Sequence, residues 1–213
     1  MSSWREYYQD KMVTPGEALK CVKSGDRVLL GHACGEPPAL VDALVERADE
    51  LRDVEVVHMV AMGQGKYAQP GMEKSFRHNG FFIGAKTRQA LQDKRADYTP
   101  VFFSEIPRLF RDPKLLPIDV FLLQVTPPNE EGYCSFGISC DYNQPAAKAA
   151  RIVIAEMNPQ MPWTYGGKIH LDELTYICEV DEPVITLQPP KIGDLEKAIG
   201  KHVASLVPDG ATL

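Results

Sequence analysis

The sequence predicts an α/β fold: a mostly parallel open sheet covered by helices on both faces. Two observations carry this. Short apolar runs recur along the chain and lack the polar alternation of a half-solvated strand. Between them lie stretches with helical spacing or helix-start signals, so strand and helix alternate.

"TPGEALKCV" (14–22) opens on Thr14 as N-cap, with Pro15 at the first helical position and Glu17 three residues after the threonine. "DRVLLG" (26–31) reads as a strand. "PPALVDALVERADEL" (37–51) starts on proline and places Leu40, Leu44, Val45, Ala48 and Leu51 at helical spacing. "VEVVHMVAM" (54–62) and "GFFIG" (80–84) are strands, and "AKTRQALQDKR" (85–95) is a surface helix. "YTPVFF" (98–103) and "SEIPRLFRD" (104–112) precede the most continuous apolar strand, "IDVFLLQVT" (118–126). "QPAAKAARI" (144–152) is helical and "RIVIAEMN" (151–158) is a buried strand. "LTYICEVDEPVITL" (174–187) reads as strands with an interruption. "GDLEKAIGKHVASLV" (193–207) is an amphipathic helix with Leu195, Ile199, Val203 and Leu206 on one face. The final "PDGATL" holds a turn signal followed by the first residues of a strand, the pattern expected of a protein whose second unit lies further on.

With 213 residues and 44% hydrophobic content, the chain can bury a substantial core as one large domain. The net charge is −6, and basic residues alternate with acids, as in "MEKSFRHNG" and "LQDKRADY". Nucleic acid and an anionic membrane surface are therefore not expected partners. Five cysteines (Cys21, Cys34, Cys134, Cys140, Cys178) form no CxxC pair and suggest free thiols in a reducing compartment. The polar N-terminus lacks the apolar run of a signal peptide, and no window reaches the ~18 apolar residues of a membrane span. The expectation is a soluble cytoplasmic protein. The five histidines form no HExxH pair or other ligand spacing, so no metal site is expected, and no Gly-x-Ser-x-Gly elbow occurs.

In parallel sheets ligands bind beyond the C-terminal ends of strands, so the strand-end loops are the candidate site. In "GHACGEPPALVDAL" (31–44), Gly31 and Gly35 leave no Cβ at a turn, and Glu36 and Pro37 lead into a helix N-terminus. Exposed N–H groups there suit a carboxylate or thioester oxygen, although an ordinary strand-to-helix turn has the same composition. "AMGQGKYAQPGM" (61–72) is permissive at Gly63, Gly65 and Gly71, and Gln64 and Lys66 could contact an acyl or phosphate group; it lacks the ending of a P-loop. Gly84 marks a further strand-to-helix turn. In "PPNEEGYCSFGISCDY" (127–142), Ser135, Gly137 and Ser139 alternate with Cys134, Phe136, Ile138 and Cys140. As a strand, this segment would turn a small polar face to an approaching ligand. Cys34 and Cys134 read as inert buried thiols rather than nucleophiles. Taken alone, the residues describe a glycine-lined cleft for a small anionic or acyl ligand.

Residues 118–170 resemble the acetyl-CoA hydrolase/transferase family, and within it the 4-hydroxybutyrate and butyrate:acetate CoA-transferase branch. The resemblance rests on Asp119, Pro127 and Pro128, Gly132 and Tyr133, Ser135, Gly137 and Ser139, Asp141 and Tyr142, and Asn158 and Pro159. "GHACGEPPAL" is similar to the family's glycine loop, and the likeness extends over the whole chain. It implies that residues 1–190 are an N-terminal CoA-transferase α/β domain. Residues 191–213 would then be a helix and the start of a truncated C-terminal domain. It also implies that the nucleophilic glutamate lies beyond Leu213, so no catalytic residue is expected in this chain. Gly31, Gly35, Glu36, Pro37, Gly63, Gln64, Gly84, Ser135, Gly137 and Asn158 would contact substrate. Coenzyme A would be a substrate rather than a resident cofactor. The implied partners are an acyl-CoA, a short-chain carboxylate, the C-terminal domain of the same protein and a second copy in a homodimer. The alternatives are an acyl-CoA hydrolase and a non-catalytic binding domain.

Overall fold

The computed structural model describes residues 4–212. In chain order the strands are β1 (Arg27–Leu30), β2 (Val54–His58), β3 (Phe76–Gly80), β4 (Ala96–Tyr98), β5 (Val120–Val125), β6 (Tyr133–Ser135), β7 (Ile152–Met157), β8 (Lys168–His170) and β9 (Tyr176–Glu179). Seven of them form one sheet in the order β4-β3-β2-β1-β5-β7-β9, and every neighbouring pair is parallel. β6 and β8 form a separate antiparallel pair. The helices are α1 (Trp4–Tyr7), α2 (Pro15–Ala18), α3 (Pro38–Glu46), α4 (Arg88–Gln92), α5 (Ile106–Arg111), α6 (Asn143–Ala149) and α7 (Asp194–Ala204).

Successive side chains of the central strands enter opposite layers of core. Val28, Leu30, Val56, Val120, Leu122 and Ile154 pack with Leu40 and Leu44 of α3. Leu29, Val57, Phe121, Leu123, Val153 and Ala155 pack with Ile106 and Phe110 of α5. Burial on both faces is why these strands carry apolar residues continuously. The chain builds outward from β1 through β2, β3 and β4 on one side, and from β5 through β7 and β9 on the other. The switch point therefore falls between β1 and β5, where their two following loops diverge.

Some boundaries differ from the sequence expectation. The third strand is Phe76–Gly80, not 80–84; Phe81 and Phe82 donate to the carbonyls of His58 (3.1 Å) and Met59 (2.8 Å) just past it. Its polar residues hide it. His78 Nδ1 donates to the Val56 carbonyl at 3.1 Å, and Asn79 Nδ2 donates to Glu55 Oε1 at 2.7 Å, so both are buried with partners. The short β4 ends where "YTPVFF" (98–103) begins, and of the strands expected at 174–187 only β9 forms. Thr14 and Glu17 form the reciprocal capping box expected from sequence, but α2 lasts one turn before tightening into a 3₁₀ turn at Leu19–Cys21. The strand start expected in "ATL" does not form at Ala211 and Thr212; Leu213 lies outside the described residues. α7 forms as expected, but Leu195, Ile199 and Val203 are exposed and no residue of the helix is buried.

Candidate functional site

The loop after β1 turns sharply. Gly35 N donates to the His32 carbonyl (2.9 Å) and Glu36 N to the Ala33 carbonyl (3.2 Å), with Ala33 in the left-handed region at φ 52°. A Cβ on Gly31 would stand 2.6 Å from the Gly35 carbonyl oxygen, and one on Gly35 would stand 2.5 Å from Ser139 Cβ. The glycines at these two positions let the loop pack on itself and on the segment before α6.

That packing drives Glu36 inward. Its side chain is almost fully buried, and Oε2 accepts from Gly63 N at 3.0 Å. A Cβ on Gly63 would lie 2.5 Å from Glu36 Oε1, so the missing side chain at 63 is the space the carboxyl occupies. Burial pushes the Glu36 carboxyl up to about 7, with the Gly63 N–H bond opposing the shift. Behind it, His58 is fully buried: Nε2–H donates to the Gly31 carbonyl at 2.9 Å and Nδ1 accepts from the Tyr67 hydroxyl at 3.1 Å. Burial brings His58 down to about 3, so the ring is neutral 3.9 Å from Glu36 Oε2. Glu36, Val41, Gly63, Gln64, Lys66 and Ile185 line a cavity of about 130 Å³. A larger cavity, about 370 Å³, lies on Arg111, Gln144 and Lys148 of α5 and α6; it contains none of the strand-end loops, and the smaller one is the candidate.

A second buried carboxyl is linked to the same loop through Gln124, whose Nε2 also reaches the Glu36 carbonyl at 3.4 Å. Glu156 of β7 pairs in register with Gln124 of β5, which donates from Nε2 to Glu156 Oε1 at 3.0 Å. Glu156 Oε2 accepts from Ala39 N (2.9 Å) and Leu40 N (3.2 Å). It therefore supplies from a neighbouring strand the cap that Pro37 cannot give α3. Burial raises Glu156 to about 7 despite these bonds. Asn158 extends the network: Nδ2 donates to the Glu182 carbonyl (2.7 Å), which ties down the segment carrying Ile185.

The structure thus brings Gly31, Gly35, Glu36, Pro37, Gly63, Gln64 and Asn158 to one edge of the sheet. Gly84 packs nearby, past β2, where a Cβ on it would stand 3.1 Å from Val60 Cγ2. Ser135 and Gly137 are placed differently. β6 ends at Ser135, and Gly137 adopts φ +60°, so the alternating face expected for 134–140 does not form. Ser135 Oγ meets Thr164 Oγ1 at 3.2 Å, Gly137 N donates to Ser135 Oγ at 3.1 Å, and a Cβ on Gly137 would collide with Met161. The chain's own segment 161–164 covers this face. Gly137→Ala is accordingly expected to destabilise the protein by about 2–4 kcal/mol, from left-handed strain and overpacking on Met161. A urea titration giving less than about 0.5 kcal/mol would contradict that placement.

Sequence reasoning missed Glu156, Gln124, His58 and Tyr67. The available signal was a polar residue inside an apolar run, as at Glu156 in "RIVIAEMN". It also missed His32 and Asp141, whose Nδ1–H and Oδ2 form a 2.6 Å bond at the end of β1. Cys134 is buried, and burial pushes its thiol up to about 12, which suits an inert group. Among the described residues no cluster of His, Cys, Asp or Glu could hold a metal, and no helix is long and apolar enough to cross a membrane.

A doubly wound parallel sheet with a glycine-bearing loop at its switch point defines a class of α/β domain, an architecture in which strand ends are the usual place for small ligands. The chain belongs to the acetyl-CoA hydrolase/transferase family, matching its N-terminal domain over residues 1–189. It is 52% identical over 211 residues to the 4-hydroxybutyrate coenzyme A transferase of Clostridium kluyveri, covering 99% of this chain and 49% of that protein. The butyryl-CoA:acetate CoA-transferase of Anaerostipes caccae is 31% identical, with 99% and 48% covered. Among solved structures, RipA from Yersinia pestis superposes with a TM-score of 0.89 at 30% identity, over 98% of this chain and 51% of that one. The 4-hydroxybutyrate CoA-transferase of Porphyromonas gingivalis gives 0.79 at 37%, over 99% and 49%. The chain spans about half the length of the relatives it matches.

Proposed function

We propose that the intact protein is a CoA-transferase that moves CoA between a short-chain acyl-CoA, 4-hydroxybutyryl- or butyryl-CoA, and a carboxylic acid such as acetate. In this reading residues 1–190 form one wall of the cleft, and a C-terminal domain, whose start is 191–213, supplies the nucleophile. The observation that carries the reading is the convergence of the family's glycine loop, at the switch point, on the buried Glu36 carboxyl. Because that carboxyl titrates near 7, its repulsion of an anionic acid in the cleft is weakened at neutral pH. The exposed face of α7, with Leu195, Ile199 and Val203, gives the second domain an apolar surface to cover. A homodimer in the cytoplasm completes the proposal.

The chemistry is ping-pong. A glutamate carboxylate beyond this chain attacks the thioester carbonyl, forming a mixed anhydride and releasing CoA thiolate. The thiolate then attacks the enzyme's carbonyl, leaving a glutamyl-CoA thioester and free acid; a second acid reverses both steps. This domain's part is to wall the acyl group and exclude water, which would otherwise hydrolyse the intermediates.

The test is to incubate the intact protein with butyryl-CoA, with and without acetate. Acetyl-CoA formed only when acetate is present, together with a protein mass increased by CoA in the absence of acceptor, is the expected result. Free CoA released at the same rate without acetate would establish a hydrolase instead. No turnover of any acyl-CoA would leave a binding domain.

A further inference from the structure

We propose that His32, oriented by Asp141, forms a subsite that hydrogen-bonds the hydroxyl of a short hydroxyacyl group. The inference rests on the CoA-transferase reading and adds to it the residue that distinguishes a hydroxyacid from its deoxy analogue.

The pair is held from several sides. Asp141 Oδ2 accepts from His32 Nδ1–H at 2.6 Å, and its other oxygen accepts from Tyr142 N at 2.6 Å. The Tyr142 hydroxyl donates to the Leu30 carbonyl at 2.7 Å, fixing the tyrosine to the end of β1. The His32 ring stacks on Tyr142, with centroids 5.7 Å apart, and is flanked by Phe103 at 5.3 Å. With Nδ1–H engaged by Asp141, Nε2 is the ring nitrogen left to meet a ligand. Nε2 has no protein partner among the described residues, and the side chain keeps 17% of its surface exposed. A ring serving only as a strut between β1 and the segment before α6 has no need to leave that nitrogen free.

The surroundings fit a short chain with one polar end. Phe103, Ser104, Pro107, Asp141 and Tyr142 line a cavity of about 200 Å³, with Phe103, Pro107 and Tyr142 as its apolar walls. That is below the ~300 Å³ at which sites for drug-sized ligands begin, which favours a ligand of a few carbons. Three of its lining residues, Phe103, Asp141 and Tyr142, contact the His32 ring, which places the imidazole next to the cavity. A hydroxyl carried on a short acyl chain would hydrogen-bond to Nε2, while its methylenes lie against Phe103 and Tyr142.

The experiment uses the intact enzyme with acetyl-CoA as donor and 4-hydroxybutyrate or butyrate as acceptor. His32→Leu should lower kcat/KM for the hydroxyacid by about 10–100-fold and change that for butyrate by less than about threefold. His32→Gln, which keeps a polar atom near the Nε2 position, should recover part of the difference. Asp141→Asn should raise KM for the hydroxyacid more than it lowers kcat. An unchanged ratio of the two kcat/KM values in His32→Leu and His32→Gln, whether activity is kept or lost equally with both acids, overturns the subsite and leaves the transferase reading standing. Wild-type enzyme that transfers CoA to neither acid overturns the transferase reading and the subsite with it.

Discussion

Glu156→Ala is expected to destabilise the chain by about 3–5 kcal/mol, the largest effect of any single substitution considered. The carboxyl is fully buried and accepts from Ala39 N, Leu40 N and Gln124 Nε2. Truncation would leave three donors without acceptors in a site that water does not reach, and a cavity where the side chain stood. Glu156→Gln keeps the volume and one carbonyl oxygen for the α3 amides, so it should cost only about 1 kcal/mol. Urea unfolding near neutral pH measures both. A loss below about 1 kcal/mol for the alanine variant would mean that α3 does not depend on this cap.

The second large effect is on how stability varies with pH. Glu36 and Glu156 each titrate near 7 in the folded chain, against an ordinary value of 4.5. Between those values the folded state holds protons that the unfolded chain releases, so rising pH disfavours folding. His58 and His78 act in the opposite sense. Burial lowers them to about 3 and about 4 from 6.5, so the unfolded chain holds their protons over that interval and rising pH favours folding. From about pH 4.5 to about pH 6.5 the two pairs oppose each other, and the wild-type profile should be nearly flat. Glu36→Gln removes one falling contribution. Stability should then rise by about 1.4 kcal/mol per pH unit over that interval. Glu36→Gln combined with Glu156→Gln should double the slope. A wild-type profile that already rises by about 1.4 kcal/mol per pH unit and is unchanged in Glu36→Gln would show that Glu36 is ionised throughout, and would remove the argument that its charge is weakened in the cleft.

Much of this architecture is legible in the residues. The runs "RVLL", "VFLLQV" and "IVIAEM" form β1, β5 and β7 because strands buried on both faces need apolar side chains at consecutive positions. Thr14, Pro15 and Glu17 mark α2 through their own local hydrogen bonds. β3 escapes a local reading because "FRHNG" carries polar groups whose partners, Val56 and Glu55, lie about twenty residues away on β2. The segment 134–140 alternates like a strand but is bent by Gly137, and it is covered by residues 161–164 that no local pattern connects to it.

By itself, the sequence determined the apolar central strands and the capped helix starts, that the sheet would be parallel and covered, and the glycine loops that follow β1 and β2. These follow from side-chain periodicity and backbone permissiveness, which act over a few residues. Only the tertiary structure decided that Glu36 meets Gly63, that Glu156 caps α3 and that Asp141 orients His32. Each of those contacts joins residues 27 to 117 positions apart, and whether the Glu36 and Glu156 carboxyls are charged depends on the burial that such contacts create.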